Sequence, residues 1–580
     1  MTNLKKIISV ILALAAAVTM TVSSVTFAGA LDNWDQIRTD FSKVMLAPGA
    51  DETQLNFAWY STEEAVPVVQ ITKSDKDFDA ETPAFEGTSS PAYRNAETGT
   101  QYYSNKVTVT GLVPSASYQY RYKVGDGDWS EAYSYQTQSS ENGFGFIAVG
   151  DPQIGIGTGG SEQDTARWIN TLTLATGRMP DASFIMSMGD QVDGNKEEDQ
   201  YAGFMYPALL RSMAISTLAG NHDCDVPNLT WHFNNPNQTK YGETSAGGDY
   251  YFSYGDMLVI TLNSNAVLKS TKSSNAIAVE HRKCIEEAIA SNPYAKWRVI
   301  DFHQDIYGYP DHYSDPEVSR CREQLYPIID DYDIDVVLTG HGHNYTRSYQ
   351  MRDNAPVKDE AIDYSASDVT VQDPDGTVYF ELSTSASKNY ENNKAGYNSH
   401  IAKSFAQNNI QSYSLVKVTD ASFTVETYRT DTDELYDSYT INKTDRAKLD
   451  RSIKKAERMI DSGDYSGEKL ENLTQALDQA KAVQAQTQAN GELEKAYDAA
   501  VLLDEKINDM KPILYGDVNG DGVVRINDVI VLQRYIAGYD VKLSPRQLEA
   551  AAVVSDGSPI IIDATQIQRY LVGLVASLDK

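Results

Sequence analysis

The chain has 580 residues and a formal net charge of −32, with 41% hydrophobic, 10% aromatic and 22% charged residues. That composition excludes wholesale disorder and any collagen-like or coiled-coil bias, and at ~150 residues per domain it predicts three to four domains. So acidic a surface repels phosphate backbones and anionic lipid, which excludes nucleic acid and a membrane surface as expected partners, and an anionic substrate would need a local source of positive charge.

In chain order, Lys5-Lys6 precede an apolar run from Ile7 to Val18, and small residues follow up to Ala28-Gly29-Ala30. Residues 1–30 therefore read as a secretory signal peptide cleaved after Ala30, so the chain is expected to be secreted and extracellular. No later stretch approaches the ~20 apolar residues of a membrane span. Residues 31–140 read as all-β: Leu55 to Tyr60 and Val107 to Val109 alternate, and Tyr118, Tyr120 and Tyr122 share one face of a strand. Residues 141–442 alternate apolar strands with helical stretches, as an α/β domain does. Residues 443–511 carry apolar residues at three- and four-residue spacing in a charged background, the pattern of a three-helix spacer. Residues 512–580 hold a repeat, Asp528 to Gly538 and Asp563 to Gly573. Three cysteines, Cys224, Cys284 and Cys321, are too few for a disulfide scaffold and leave one bridge plus one free thiol open.

Five clusters in the α/β segment each follow a short apolar strand. They are Gly150-Asp151-Pro152-Gln153, Gly189-Asp190-Gln191-Val192-Asp193, Gly220-Asn221-His222-Asp223, His303-Gln304-Asp305, and Gly340-His341-Gly342-His343-Asn344-Tyr345-Thr346-Arg347-Ser348. Open α/β sheets build sites just past the carboxyl ends of their strands, and mixed Asp, Asn and His donors suit first-row metals. Four of the eight histidines, His222, His303, His341 and His343, fall in these clusters; His232, His281 and His400 lack such a context and read as structural. Two metals can activate a water and clamp a phosphoryl group without a side-chain nucleophile, and the chain has neither a Gly-x-Ser-x-Gly elbow nor a Walker loop.

The five clusters resemble the calcineurin-like metallophosphoesterases. The Gly-His-x-His-x-Tyr-x-Arg-Ser ending and the preceding β segment resemble the purple acid phosphatase branch, whose N-terminal domain is fibronectin III-like. Leu112 to Tyr118 resembles the tyrosine corner of such sandwiches. The resemblance implies that Asp190 bridges two metals, that Asp151 and His343 hold one, and that Asn221, His303 and His341 hold the other. It also implies His222 as the acid for the leaving group, oriented by Asp223, with His312 facing phosphate. Two residues depart from the pattern. Gln153 stands where the wider superfamily has His, as a weaker oxygen ligand. Asp193 stands where purple acid phosphatases have Tyr, so no tyrosinate–iron colour is expected and the metals remain open among Fe, Zn and Mn. Asp517, Asn519, Asp521, Val523 and Asp528 fit a calcium loop, and the repeat resembles a type I dockerin. The second copy has Ala552 and Val554 where oxygen ligands belong and is expected to bind calcium poorly. A dockerin implies a cohesin domain of an extracellular scaffold as partner. Together these features predict a multidomain, scaffold-bound phosphomonoesterase: sandwich, α/β metallophosphoesterase core of layered sheets flanked by helices, helical spacer and small α dockerin. A phosphodiesterase with the same ligands and an inactive surface-binding module are the alternatives.

Overall fold

The computed structural model of the chain describes residues 31–292, 295–387, 399–404, 410–444, 447–461, 468–490, 493–509, 514–519, 524–539, 541, 543, 545–555, 558–572, 574, 575, 577 and 578. The expected signal peptide, Asp521, Val523 and Asp556 lie outside the described residues.

Two four-stranded antiparallel sheets make the first domain. One orders β1 (Met45–Pro48), β2 (Leu55–Ser61), β6 (Gln101–Val109) and β5 (Thr88–Arg94); the other orders β4 (Ala84–Glu86), β3 (Pro67–Lys73), β7 (Ser117–Val124) and β8 (Tyr133–Gln136). Leu55, Phe57, Trp59, Val69, Ile71, Val107, Val109, Tyr118 and Tyr120 fill the space between them. The Tyr118 hydroxyl accepts the Val113 N–H at 2.9 Å, which closes the corner expected at Leu112 to Tyr118.

The second domain is built in four layers, with two sheets between outer helices. Its first sheet orders β11 (Ile215–Thr217), β10 (Ile185–Ser187), β9 (Phe144–Val149), β21 (Ser412–Val418), β22 (Ser422–Arg429), β23 (Leu435–Asn442) and β18 (Asp368–Gln372). The second orders β12 (Tyr250–Tyr254), β13 (Met257–Thr261), β14 (Trp297–Asp301), β15 (Val336–Thr339), β19 (Thr377–Glu381), β16 (Thr346–Arg352) and β17 (Ala355–Val357), with β20 (Ile401–Ser404) against β16. Strand alternation decides the layers. Phe146 and Ala148 of β9 and Val299 of β14 join the core between the sheets. Ile147 and Val149 instead pack on helix α1 (Gly160–Arg178) through Trp168 and Leu172. Leu258, Ile260 and Ile300 pack on Ile277, Cys284, Cys321 and Leu325 of the two helices α4 (Ser274–Ser291) and α6 (Pro316–Asp331), the latter preceded by the short helix α5 (Pro310–Tyr313). All three cysteines are buried and unpaired, so the possible bridge is absent.

The sandwich is fixed to this domain by polar contacts at its face. Tyr120 donates to the Arg211 carbonyl at 2.7 Å and Ser104 to the Trp231 carbonyl at 2.7 Å. Tyr60 donates to Glu198 at 3.2 Å; the same carboxylate takes Asn228 and His232, each at 2.8 Å. Glu198 opens α2 (Glu198–Met205), whereas Asn228 and His232 bound α3 (Asn228–His232), the helix that follows the Asn221 cluster. His281 likewise pairs with Asp249 at 2.8 Å in the interior.

Three helices follow, α7 (Ala447–Asp461), α8 (Glu468–Asn490) and α9 (Leu493–Asp509). Leu449, Ile453 and Ala456, Leu473, Leu477 and Ala480, and Ala496, Ala500, Leu503 and Ile507 meet in one core, each set spaced by three or four residues. In the last segment α10 (Ile526–Ile536) and α11 (Ile561–Leu571) pack through Val529, Leu532, Ala564 and Ile567. Among the described residues no helix is long and apolar enough to cross a membrane.

Candidate metal centre

Each cluster starts where a strand ends. Asp151 follows β9, Asp190 follows β10 and Asn221 follows β11 in one sheet; His303 follows β14, and His341 and His343 follow β15 in the other. Cross-connections hold the two sets together: His341 N–H reaches both Asp151 oxygens, at 3.0 and 2.9 Å, and His303 Nδ1 donates to the Met188 carbonyl at 2.8 Å. The turns that aim these side chains are strained. Asp151, Gln153, Asp190, His341 and His343 all have positive φ, from 34° to 73°, at a cost of about 1–3 kcal/mol each. Strain of this kind persists where a site over-determines the backbone. Neighbouring glycines make the approach possible. A Cβ on Gly220 would lie 1.9 Å from Asp190 Oδ1, and one on Gly189 would lie 2.6 Å from His303 Nδ1.

Asp151, Asp190 and His303 each offer an atom within 4.8 Å of the others, all buried. Asn221 Oδ1 lies 2.9 Å from His303 Nε2 and 2.9 Å from His341 Nδ1, and His303 Nε2 lies 3.3 Å from Asp190 Oδ2. His343 Nε2 stands 3.7 Å from Asp151 Oδ1. This arrangement calls for a cation. Because His303 Nδ1–H is committed to a carbonyl, its Nε2 faces two oxygen acceptors; only a proton or a metal ion can lie between them. The electrostatics agree. Burial, reinforced by Asp190, drives Asp151 far above the usual carboxylate range. Burial also works to raise Asp190, but His303 and His222 hold it low. Burial opposes charge on His303, yet Asp190 and Asp151 hold its imidazolium up to about 10. Burial and Asp190 push Asp223 up to about 8. Gln153 Oε1 is buried without a hydrogen-bond partner among the described residues, as a neutral ligand oxygen awaiting a cation would be. The residues present thus fit a pair of metal ions.

His222 stands beside this cluster. Its backbone N–H donates to Asp190 Oδ1 at 2.8 Å, and its Nδ1 lies 2.7 Å from the Asp193 carbonyl and 3.3 Å from Asp193 Oδ1. The residue that orients the ring is therefore Asp193, not Asp223. Asp223 Oδ2 instead accepts the Gly220 and Gln191 N–H groups at 3.0 and 3.3 Å and braces the turns of two ligands. Asp193 Oδ1 also takes Gln153 Nε2 at 3.4 Å, which leaves the Gln153 oxygen for a metal. His312 lies at the rim, with Nδ1 2.9 Å from Asp315 Oδ2 and its ring 5.2 Å from that of His341. Glu317, the next acid along α6, has Oε1 3.4 Å from His341 Nε2. Composition and spacing single out neither Glu317 nor Asp193 for these contacts, since each arises between loops far apart in sequence.

The end of the last cluster turns away from the centre. Arg347 is fully buried and makes bonds of 2.7 and 3.1 Å to the two oxygens of Asp437, which also receives the Tyr345 hydroxyl at 2.7 Å. Those residues tie the start of β16 to β23.

A family model for calcineurin-like phosphoesterases matches residues 144–345, the stretch that holds the first four clusters and the fifth as far as Tyr345. Residues 144–345 are a calcineurin-like phosphoesterase domain. Models for the purple acid phosphatase N-terminal domain and the type I dockerin domain match residues 41–137 and 515–572 on either side of this phosphoesterase domain. The purple acid phosphatase PPD1 of yellow lupin (Lupinus luteus) shares the fold, with a TM-score of 0.56, 16% identity, and coverage of 70% of this chain and 74% of that one. Two uncharacterized proteins of Mycobacterium tuberculosis, from strains CDC 1551 / Oshkosh and ATCC 25618 / H37Rv, are each 25% identical over 182 residues. That match spans 29% of this chain and about a third, 32%, of each relative.

Proposed function

We propose that the chain is a secreted, dinuclear-metal phosphoesterase acting on phosphate monoesters, carried on an extracellular cohesin scaffold by its dockerin. The observation that carries the catalytic half is the convergence of Asp190, Asn221, His303 and His341 on a point where acceptors face acceptors. Asp190 would be shared by two ions, with Asp151, Gln153 and His343 on one side and Asn221, His303 and His341 on the other. When bound, the ions supply a water of lowered pKa and a positive clamp for the phosphoryl oxygens. The chain supplies the rest. Asn221 brings an oxygen without charge, so the centre keeps net attraction for phosphate. Asp193 holds the His222 Nδ1–H, which leaves Nε2 to deliver a proton to the departing oxygen. His312, held by Asp315, is placed to bind a phosphoryl oxygen at the rim.

The docking half rests on the match to the dockerin model. Asp517, Asn519 and Asp528 are the described members of the first calcium loop; Asn519 and Arg525 N–H groups already bond to Asp528 at 2.9 and 2.7 Å. Ile526 and Ile530 of α10 and Ile561 and Ile562 of α11 are exposed apolar side chains, which suits contact with a protein partner.

Metal content per chain, with rates on an aryl phosphate and an aryl phosphodiester, tests the catalytic half. Two transition metals and faster monoester hydrolysis are expected. Faster diester hydrolysis would replace the monoesterase reading, and absence of both activities in the metal-loaded protein would leave a surface-binding module.

A further inference from the structure

Behind the second-metal half lies a buried chain of amides and hydroxyls. β13 leads into Asn263-Ser264-Asn265, and Ser264 and Asn265 are fully inaccessible. Asn265 Nδ2 donates to the Ala219 carbonyl at 2.6 Å, two residues before Asn221. Asn265 Oδ1 accepts Gln304 Nε2 at 2.9 Å, one residue after His303. Gln304 Oε1 takes the Ser264 hydroxyl, and the Ser264 Oγ in turn accepts the His303 N–H at 3.3 Å. The far end is anchored as well: Asn263 N–H donates to Asp249 at 2.8 Å, and Asp249 pairs with His281.

Each amide has its orientation decided by its neighbours. The Ala219 carbonyl can only accept, so the NH2 of Asn265 must face it. Its oxygen then faces Gln304, whose own oxygen meets the Ser264 hydroxyl. The network therefore has one arrangement, and it spans the loops of two ligands that come from different sheets. Neither Asn265 nor Gln304 bonds to Asn221, His303 or His341 through a side chain.

We propose that Asn265 and Gln304 are positioning residues that set the spacing between the Asn221 turn and the His303 turn, and so tune the affinity of the metal held by Asn221, His303 and His341. The inference rests on the dinuclear reading above. Outer groups that orient ligands in this way are worth about 10–100-fold in metal affinity. A network that only fills the interior would instead affect thermal stability and treat both metals alike.

The test is a zinc titration of the full-length apoprotein by calorimetry, with zinc content measured after dialysis and folding checked by circular dichroism. Wild type should take two ions. Asn265→Asp, which turns the donor facing Ala219 into an acceptor, and Gln304→Glu, which does the same toward Asn265, should each weaken one ion by about 10–100-fold and leave the other near its wild-type affinity. Ser264→Ala deletes one hydroxyl, is expected to fold, and should weaken the same ion by a smaller factor. Unchanged affinity for both ions in the folded variants, or equal weakening of both, would overturn the proposal. Fewer than two ions in the wild type would instead overturn the dinuclear reading.

Discussion

His222 follows the candidate ligand Asn221 and is the proposed proton donor. Its backbone serves Asp190 and its ring is held by Asp193, so its Nε2 is the atom left to act. His222→Ala should slow hydrolysis of alkyl phosphates, whose leaving groups need a proton, far more than that of aryl phosphates with acidic phenols, with a gap of about 10²–10⁴-fold. Equal losses in the two series would mean that His222 binds phosphate without transferring a proton. Asp193, which stands where the resemblance to purple acid phosphatases places Tyr, also predicts no tyrosinate–iron absorption band; such a band would show that another tyrosine reaches the metal. Arg347 belongs to the same sequence cluster as His341 and His343 yet serves the fold. Arg347→Met leaves the fully buried Asp437 without its cation and should destabilise the protein by about 3–5 kcal/mol in denaturant titration, with metal binding intact in the folded fraction. The candidate ligand residues were legible because Gly, Asp, Asn and His recur after apolar strands. Their supporting contacts were not, because Arg347 and Asp437 are 90 residues apart and Asp193 and His222 29 apart. Nothing local marks such pairs.

At the level of elements, strands were the most readable feature, since alternating or continuous apolar runs fix which faces are buried. Their ends were less so: the apolar run Phe184 to Met188 yields a strand of only Ile185–Ser187, because the residues that follow bend into the turn holding Asp190. The turns themselves are intolerant. Gly220→Ala would press a methyl group into Asp190 Oδ1, and the expected result is loss of bound metal from a protein that still shows native secondary structure by circular dichroism. The β20 edge carries a pH sensitivity. Burial, with Arg322 adding to it, lowers His400 from 6.5 to about 4, and its ring stacks on Tyr313 at 4.5 Å. The unfolded chain then binds more protons than the folded one between those values, so this contribution to stability is present above about 6.5 and is lost as pH falls toward 4. His400→Phe should flatten the decline of melting temperature across that window. An unchanged slope would show that His400 is not the group responsible.

For the molecule as a whole, catalysis and docking are built as separate units. All five clusters lie between Gly150 and Ser348, whereas the calcium loop begins at Asp517, beyond the three-helix spacer with its own core. A chain ending at Asn442 should therefore keep full hydrolytic activity and lose cohesin affinity; loss of activity would show that the spacer or dockerin supports the centre. The two dockerin loops share one closure: Asp563 receives the Val554, Ser555 and Ile560 N–H groups and the Ser555 hydroxyl at 2.7–2.9 Å, as Asp528 receives those of Asn519 and Arg525. The difference expected between them rests on Ala552 and Val554, which supply no side-chain oxygen. One tight calcium site is expected by calorimetry, and two equal sites would contradict the ligand count. The domain plan was legible because each unit has its own period, repeat or motif; the fixed seat of the sandwich on the phosphoesterase domain was not, as it depends on contacts such as Tyr60 to Glu198 across 138 residues. In the proposed centre Asp190 serves two ions at once. The most direct test is Asp190→Ala in the full chain, with metal content and aryl phosphate hydrolysis measured on the same sample. Loss of most bound metal together with loss of turnover is expected; two retained ions with near-normal hydrolysis would contradict a shared Asp190.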